Sequence, residues 1–412
     1  MAVSQYSTAQ KWWVVVLLTL GCIIAYVDRV NLSFAVIDAD FKQFFQVSDT
    51  QRGLLNSAFF WSYAALQIPA GWVVDRFGSK YPLAISFTVW SLLTAVAAFT
   101  TGFASLFAVR LMLGVGEAIM QPASMRWIRY HFEENRRGLA IGLYMSGTKF
   151  GPAIGSVLAA LLIESYGWRA MFLIMGLAAL LWLVPWFWFA RDDRATGSAA
   201  GTQVTAEGDA PMRKLLTSPI LLGVIIGTFA YMYFVYFCMT WMPAYLSEAR
   251  GLSLGSSGVY TTFSFAGMAV MSIVGGFAAD RLIGMGWRPV AVRKGFTIAG
   301  FLLASTEVFG PLLQSLDMAL IVSIFSLSGL GLATANYWAL TQTLMPSGKT
   351  GRIIGIQNCA ASVAGVLAPI ITGWLVERTG GYAAAMQMVL VFLACGILAY
   401  IFLVRERPRT AA

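Results

Sequence analysis

Charge is scarce in this chain. Only 11% of its 412 residues are Asp, Glu, Lys or Arg, against roughly 25% in ordinary soluble domains. Hydrophobic residues make up 58%. A soluble fold of this length has no means of hiding so much apolar surface, and disorder, collagen and coiled coil fall with it. Histidine is scarcer still. His131 is the only one, so a histidine metal cluster is excluded. The four cysteines, Cys22, Cys238, Cys359 and Cys395, all fall inside apolar runs, and none forms a C-x-x-C. Neither a zinc site nor a disulfide framework is implied. With one histidine and no metal motif there is little from which to build a catalytic cluster, so no enzyme and no cofactor are expected. The net charge of +9 points to nucleic acid only if the placement of the cations is ignored.

What is present is apolar length. A bilayer core needs about 20 apolar residues per helix. Twelve stretches qualify: 12–37, 53–74, 81–100, 103–125, 138–162, 169–190, 219–245, 256–279, 295–314, 318–342, 352–375 and 381–404. The first is too long for a signal peptide, has no small-residue cleavage site after it, and is read as retained. Twelve spans put both termini on one side. Loops on that side hold 20 Lys and Arg, and the opposite loops hold 5. Cationic loops stay inside, so both termini are expected in the cytoplasm of a plasma (inner) membrane. The basic balance is a topology signal, with no nucleic-acid patch. The stretch 191–217 is rich in Gly, Ala, Ser and Thr and reads as a mobile cytoplasmic linker. It divides an N-terminal six-helix bundle, 1–190, from a C-terminal one, 218–412.

The halves repeat. Gly71, Asp75 and Arg76 recur as Gly276, Asp280 and Arg281. Gly138, Gly142, Glu164 and Gly167 recur, at a slightly larger shift, as Gly351, Gly355, Glu377 and Gly380. Parallel halves around a midplane site are a transporter architecture. The loop Gly71–Lys80, G-x-x-x-D-R-x-G-x-K, resembles the signature loop of the major facilitator superfamily. Tyr26–Ser33 (Tyr-Val-Asp-Arg-Val-Asn-Leu-Ser) resembles span 1 of its anion:cation symporter family. So do Arg110-x-x-x-Gly114-x-Gly116-Glu117-Ala118, Gly167-Trp168-Arg169 and Trp241-Met242-Pro243-Ala244-Tyr245-Leu246. The resemblance covers all but the linker and termini. It implies an all-α membrane protein of two pseudo-symmetric six-helix bundles that moves organic anions, sugar acids and aromatic carboxylates among them, usually with protons. The expected partners are a small organic anion, protons and the lipid bilayer, and the chain is expected to act as a monomer. Two alternatives stay open. Gly147–Ser156 resembles the span-5 motif of proton-coupled drug antiporters, with Ser156 in place of its last glycine, so efflux is one. A non-transporting sensor on the same scaffold is the other.

Ionisable residues inside spans cost about 2.5–3.5 kcal/mol each at a helix centre, so they should face a cavity or each other. They are Asp28, Arg29, Arg110, Glu117, Lys149 and Glu307. Tyr26, Arg29 and Ser33 share one helix face, and the Arg29 fork suits a substrate carboxylate. The alternative for Arg29 is a structural pairing. Asp28 is either a proton carrier or the neutraliser of a neighbouring cation. Arg110, Gly114, Glu117 and Gln121 form a polar stripe on span 4, with Glu117 near mid-membrane. Glu117 is a proton-coupling candidate, and Arg110 its natural structural partner. Lys149 is expected at the central cavity, reading a second polar or anionic group on the substrate, unless it is a counter-charge for Glu117 or Asp28. Glu307 is expected near the external end of span 9, in a structural role. Tyr26, Tyr63, Tyr231, Tyr236 and Trp338 are the aromatic candidates, and the resemblance places Tyr63, Trp338 and Asn358 near the substrate. Asp75, Arg76, Asp280 and Arg281 are either solvated charges or a latch between conformers. The pairs Gly138/Gly142, Gly151/Gly155 and Gly351/Gly355 are expected to allow close helix approach. His131 is expected to be solvated in a loop.

Overall fold

The computed structural model describes residues 6–191, 218–344 and 350–405. The linker expected over 191–217 lies outside the described residues, apart from Arg191. Among the described residues all regular structure is helical. Contacts group residues 1–203 and 246–262 into one compact unit, and 204–245 with 263–412 into a second.

The first unit holds α1 (Thr8–Ala35), α2 (Ala39–Phe45), α3 (Asp49–Phe77), α4 (Lys80–Val96), α5 (Phe103–Glu117), α6 (Met120–His131), α7 (Glu134–Ala179) and α8 (Leu183–Phe189). Serines start two of the long helices. Ser7 accepts from the Gln10 amide while the Gln10 side chain accepts from Ser7 N, and Ser48 and Gln51 repeat the arrangement. This reciprocal cap satisfies backbone donors the helix itself leaves unpaired. The second unit holds α9 (Pro219–Ala244), most of α10 (Leu254–Gly284), α11 (Pro289–Ala304) with a 3₁₀ continuation Ser305–Leu312, α12 (Leu316–Leu344), α13 (Thr350–Thr379) and α14 (Ala383–Phe402).

Ten helical segments among the described residues are long and apolar enough to cross a membrane. One of them, Arg136–Phe189, covers two of the expected spans, and Gly167 breaks it with φ 81°. The expected span 53–74 lies in α3, which is not among these ten. All twelve expected spans thus fall on helices. Gly380, the repeat counterpart of Gly167, also has positive φ, 68°. Only glycine takes that conformation freely, so the repeat in sequence is a repeat in backbone. Polarity runs opposite to a soluble protein: Ile68 is 86% exposed and Trp188 82%, while Glu117 and Glu307 are at 0%. Large apolar side chains on the outside and carboxylates inside suit a lipid surround.

Two glycine rows set the packing of the first unit. Gly147, Gly151 and Gly155 on α7 face α1. A Cβ at Gly155 would come 2.9 Å from Val27 Cα, one at Gly147 would come 2.9 Å from Cys22 Cβ, and one at Gly151 would overlap Tyr26 Cβ. On α5, a Cβ at Gly114 would overlap Phe59 O and Ser62 Oγ, and one at Gly116 would meet Trp90 Cβ at 2.9 Å. These rows draw α1 onto α7, and α5 onto α3 and α4. The other expected pairs behave differently, as far as they are described, Gly351 lying outside the residues whose packing is described. A Cβ at Gly138, Gly142 or Gly355 would meet nothing within 4 Å, so close approach there is corrected: small size alone does not create a neighbour. Gly151→Ala is expected to destabilise the protein by about 1–3 kcal/mol through overpacking against Tyr26, read as a lower melting temperature in detergent. Gly142→Ala should leave it unchanged. Equal melting temperatures for both variants would contradict the packing.

His131 is also corrected. It is buried rather than solvated. Its ring stacks on Trp127 at 4.3 Å between centroids, Tyr6 meets it edge-on at 5.0 Å, and its Nδ1 lies 2.8 Å from Trp127 O. The signal was the aromatic four residues earlier on the same helix face.

Candidate functional site

The charged residues of α1 and α5 come together in the interior of the first unit. Arg29 Nε and Nη2 both lie 2.9 Å from Glu117 Oε2. The two side chains are 5% and 0% exposed. Both prongs of the guanidinium thus close on one oxygen of the carboxylate. Three rings surround the cation: its Cζ is 4.4 Å from the Tyr26 centroid, 4.6 Å from Phe59 and 4.7 Å from Tyr63. Ring faces carry partial negative charge and stabilise a cation held over them. Tyr63 Oη in turn donates to Gln121 Oε1 at 3.4 Å.

The expected pairing of Arg110 with Glu117 is replaced by Arg29 with Glu117. Arg110 Nη1 donates instead to the backbone oxygen of Asp28 at 3.3 Å. It is a buried cation whose hydrogen bond joins α5 to the α1 backbone beside Arg29. The Gly114 contact explains the change: with α3 pressed against α5, the Phe59 and Tyr63 rings stand beside the guanidinium of Arg29. Asp28 is 1% exposed, and its Oδ1 accepts from Asn31 Nδ2 at 3.4 Å. No ion pair among the described residues includes it.

Lys149 is half-buried on α7, between the glycines that face α1. Cys22, buried on α1, lies within electrostatic range of Arg29, Glu117 and Lys149. Arg29, Arg110, Asp28 and Glu117 share this interior, and Lys149 stands on α7 near Cys22.

The remaining site candidates fall elsewhere. In the second unit Trp338 packs on Tyr337 at 5.0 Å, and Tyr337 on Tyr231 at 4.7 Å. Tyr231 Oη lies 2.7 Å from Thr334 Oγ1. Tyr236 is buried. Asn358 is half-buried on α13, and its carbonyl accepts from Ser362 Oγ at 2.9 Å. Asp75 and Asp280 are largely exposed: Asp75 Oδ1 is 3.7 Å from Arg126 Nε, and Asp280 Oδ1 is 3.0 Å from Arg293 Nη2. Arg76 lies over the Trp72 and Phe77 rings at 5.4 and 5.6 Å, and Arg281 is exposed.

Sequence reasoning missed two features. Phe59 completes the cage around Arg29, and the available signal was its place one helical turn before Tyr63. Gln357, fully buried, donates to Thr228 Oγ1 and Thr341 Oγ1, each at 3.0 Å. It ties α13 to α9 and α12. A lone glutamine next to Asn358 offered no signal of its own.

Membrane-length helices and a buried ion pair in the first unit are the frame of a membrane transporter. The chain belongs to the Major Facilitator Superfamily, whose sequence pattern matches residues 18–369. It is 30% identical to a D-galactonate transporter of Escherichia coli O6:H1, over 97% of each chain. It is 29% identical to a hexuronate transporter of Bacillus subtilis, over 96% of each. A probable galactarate/D-glucarate transporter of the same species is 30% identical, over 96% of this chain and 92% of that one. Among solved structures, the inward-facing, unoccupied form of a bacterial homolog to the human lysosomal transporter Spinster matches with a TM-score of 0.80 at 19% identity, over 98% of this chain and all of the other. A D-xylose–proton symporter matches at 0.77 and 16% identity, over 97% and 98%.

Proposed function

We propose that this chain cotransports a small organic anion with protons by alternating access, and that the anion is a sugar acid, an aromatic carboxylate or a dicarboxylate. The observation that carries this reading is the buried Arg29 fork, caged by Tyr26, Phe59 and Tyr63 and closed on one oxygen of Glu117. A buried guanidinium that holds one carboxylate can exchange it for another. When Glu117 takes up a proton its hold on Arg29 weakens, and a substrate carboxylate becomes the better partner. Proton and anion binding are then linked without direct contact between the two ligands. Asp28 is the second proton-coupling group. The names of the relatives, transporters of galactonate, hexuronate and galactarate/glucarate, support a sugar acid.

The sites assigned to substrate are Tyr26, Arg29, Tyr63 and Lys149 from the first six spans, and Trp338 and Asn358 from the last six. The bundles are 1–190 and 218–412, with both termini in the cytoplasm of the inner membrane and the chain acting as a monomer. Asp75, Arg76, Asp280 and Arg281 act in a conformer in which they leave the contacts described above. The glycine row that resembles an antiporter motif packs α7 on α1, and the exchange panel below separates symport from efflux.

The test is counterflow in proteoliposomes against a panel of sugar acids, aromatic acids and dicarboxylates. Saturable exchange of one class, without exchange of cationic drugs, is the expected result. Exchange of cationic drugs alone would establish the antiporter, and no exchange of any kind the sensor. Lys149 sharpens the panel. If all five ionisable residues within the first six spans ionise, one positive charge is left over, and protonation of Glu117 makes it two. Such an excess favours a dianion, or a monoanion with strong hydrogen-bonding groups. Lys149→Gln is therefore expected to weaken a dicarboxylate on the order of tenfold more than a monocarboxylate of similar size, the worth of one charge-assisted hydrogen bond. Equal weakening of both in a competition series would leave Lys149 a counter-charge.

A further inference from the structure

The second unit contains a buried carboxyl group that the transport reading does not use. Glu307 lies in the 3₁₀ turn Ser305–Leu312, where the backbone leaves the regular α-helix of α11. It is fully buried. Its partners stand on α12: Ser323 Oγ donates to Glu307 Oε1 at 3.2 Å, and Ser326 Oγ makes a close contact with Glu307 Oε2. Ser326 Oγ also lies 3.1 Å from the Ser323 carbonyl oxygen.

The hydrogen count in this cluster is informative. A serine hydroxyl has one hydrogen to donate. Ser326 Oγ makes two oxygen contacts, to Glu307 Oε2 and to Ser323 O, and its single hydrogen serves one of them. A proton on Glu307 Oε2 satisfies both: the carboxyl donates to Ser326 Oγ, Ser326 donates to Ser323 O, and Ser323 Oγ donates back to Glu307 Oε1. Every hydroxyl hydrogen is then used and no net charge is buried.

The surroundings offer an ionised Glu307 no compensating charge. No ion pair among the described residues includes it. Of the elements packed against the turn, α14 carries no charged residue, and the charged residue of α12 is the exposed Asp317 near its start. On α11 the cations Arg293 and Lys294 lie about 20 Å down the helix at 1.5 Å per residue. The titratable groups nearby are the buried Cys238 thiol and the Tyr245 hydroxyl, which stands beside Gly310. Both are neutral in their protonated forms. A carboxylate in such a place is costly, whereas a carboxylic acid with its hydrogen bonds made is not.

We propose that Glu307, Ser323 and Ser326 form a proton-binding site within the second unit, separate from the Arg29–Glu117 cluster. The carboxyl holds its proton at neutral pH and uses it to clasp the 3₁₀ end of α11 to α12. Releasing the proton requires water to reach the cluster, so occupancy of the site reports whether that end of the two helices is closed.

Infrared difference spectroscopy of the full-length protein in lipid at neutral pH tests the assignment. Wild type minus Glu307→Gln is expected to show the carbonyl stretch of a protonated carboxyl, lost in the variant. Carboxylate bands in its place would overturn the proposal. The amide introduced by this substitution can donate to Ser326 as the acid does, so the variant should fold, with a melting temperature close to that of wild type. Ser326→Ala gives an independent reading that leaves Glu307 intact. Removing the acceptor of the carboxyl hydrogen should shift the same band to higher frequency, and an unmoved band would show that Glu307 does not donate to Ser326.

Discussion

Arg29→Lys is expected to weaken binding of the organic anion by on the order of 10- to 100-fold while the protein still folds. The charge is retained and the geometry is lost. The guanidinium presents two prongs, and both reach Glu117 Oε2 at 2.9 Å. An ammonium is a compact, strongly hydrated charge that cannot close on a carboxylate in the same way, nor lie flat within three rings. A hydrogen bond to a charged group is worth about 1.5–3 kcal/mol, which sets the scale of the expected loss. Arg29→Ala would be a poorer experiment. It would leave Glu117 buried without its cation, and breaking a buried pair costs about 3–5 kcal/mol in folding alone. Isothermal titration in detergent, with a melting curve as control, reads the lysine variant. Unchanged affinity in a folded protein would confine Arg29 to a structural pairing with Glu117.

The readability of this fold in its sequence follows from what a membrane requires. Every backbone polar group must be satisfied within its own segment, so apolar runs of sufficient length become helices. That is why all twelve stretches lie on helices, including 53–74, whose polar residues lower its average but not its helicity. The buried charges were equally visible, because an ionisable residue in an apolar run stands out. Their pairing was not. Arg110 and Glu117 lie on one helix face, and local spacing favours them; only the packing of neighbouring helices, close between α5 and α3 at Gly114, places Arg29 and its rings at Glu117 instead. Spacing along one helix cannot report the separation of two. The same limit explains Glu307, whose partners lie on the next helix at Ser323 and Ser326. In sequence these are two of many serines. His131 fails in the opposite direction: a residue beside a loop looked solvated because Tyr6, which buries it, is 125 positions away.

Glu117→Gln is expected to abolish proton-driven accumulation while leaving anion exchange intact. The glutamine is uncharged at every pH, as Glu117 is when protonated. Its carbonyl can still accept from Arg29, but without the charge that makes the carboxylate a strong competitor. The guanidinium is then permanently available to a substrate carboxylate. In the wild type, a fall in pH protonates Glu117, releases Arg29 and raises anion affinity; a rise in pH does the reverse. The swing should be on the order of tenfold, within the usual range for coupling between two ligands. In the variant the affinity should stay at its acid-side value across the same pH range. Exchange of anion for anion moves no net proton and needs no cycling of Glu117, so it should proceed near the wild-type rate. Uptake against a gradient needs a group that binds a proton on one side and releases it on the other, and the variant has lost it. Proteoliposomes with an imposed pH gradient, and the same vesicles preloaded for exchange, separate the two activities. If accumulation survives, the coupling role moves to Asp28, the buried carboxyl one residue from Arg29 that lies in no ion pair among the described residues. If exchange is lost together with accumulation, Glu117 holds Arg29 in place for substrate rather than trading places with it, and competition between two carboxylates for one guanidinium is not the coupling mechanism.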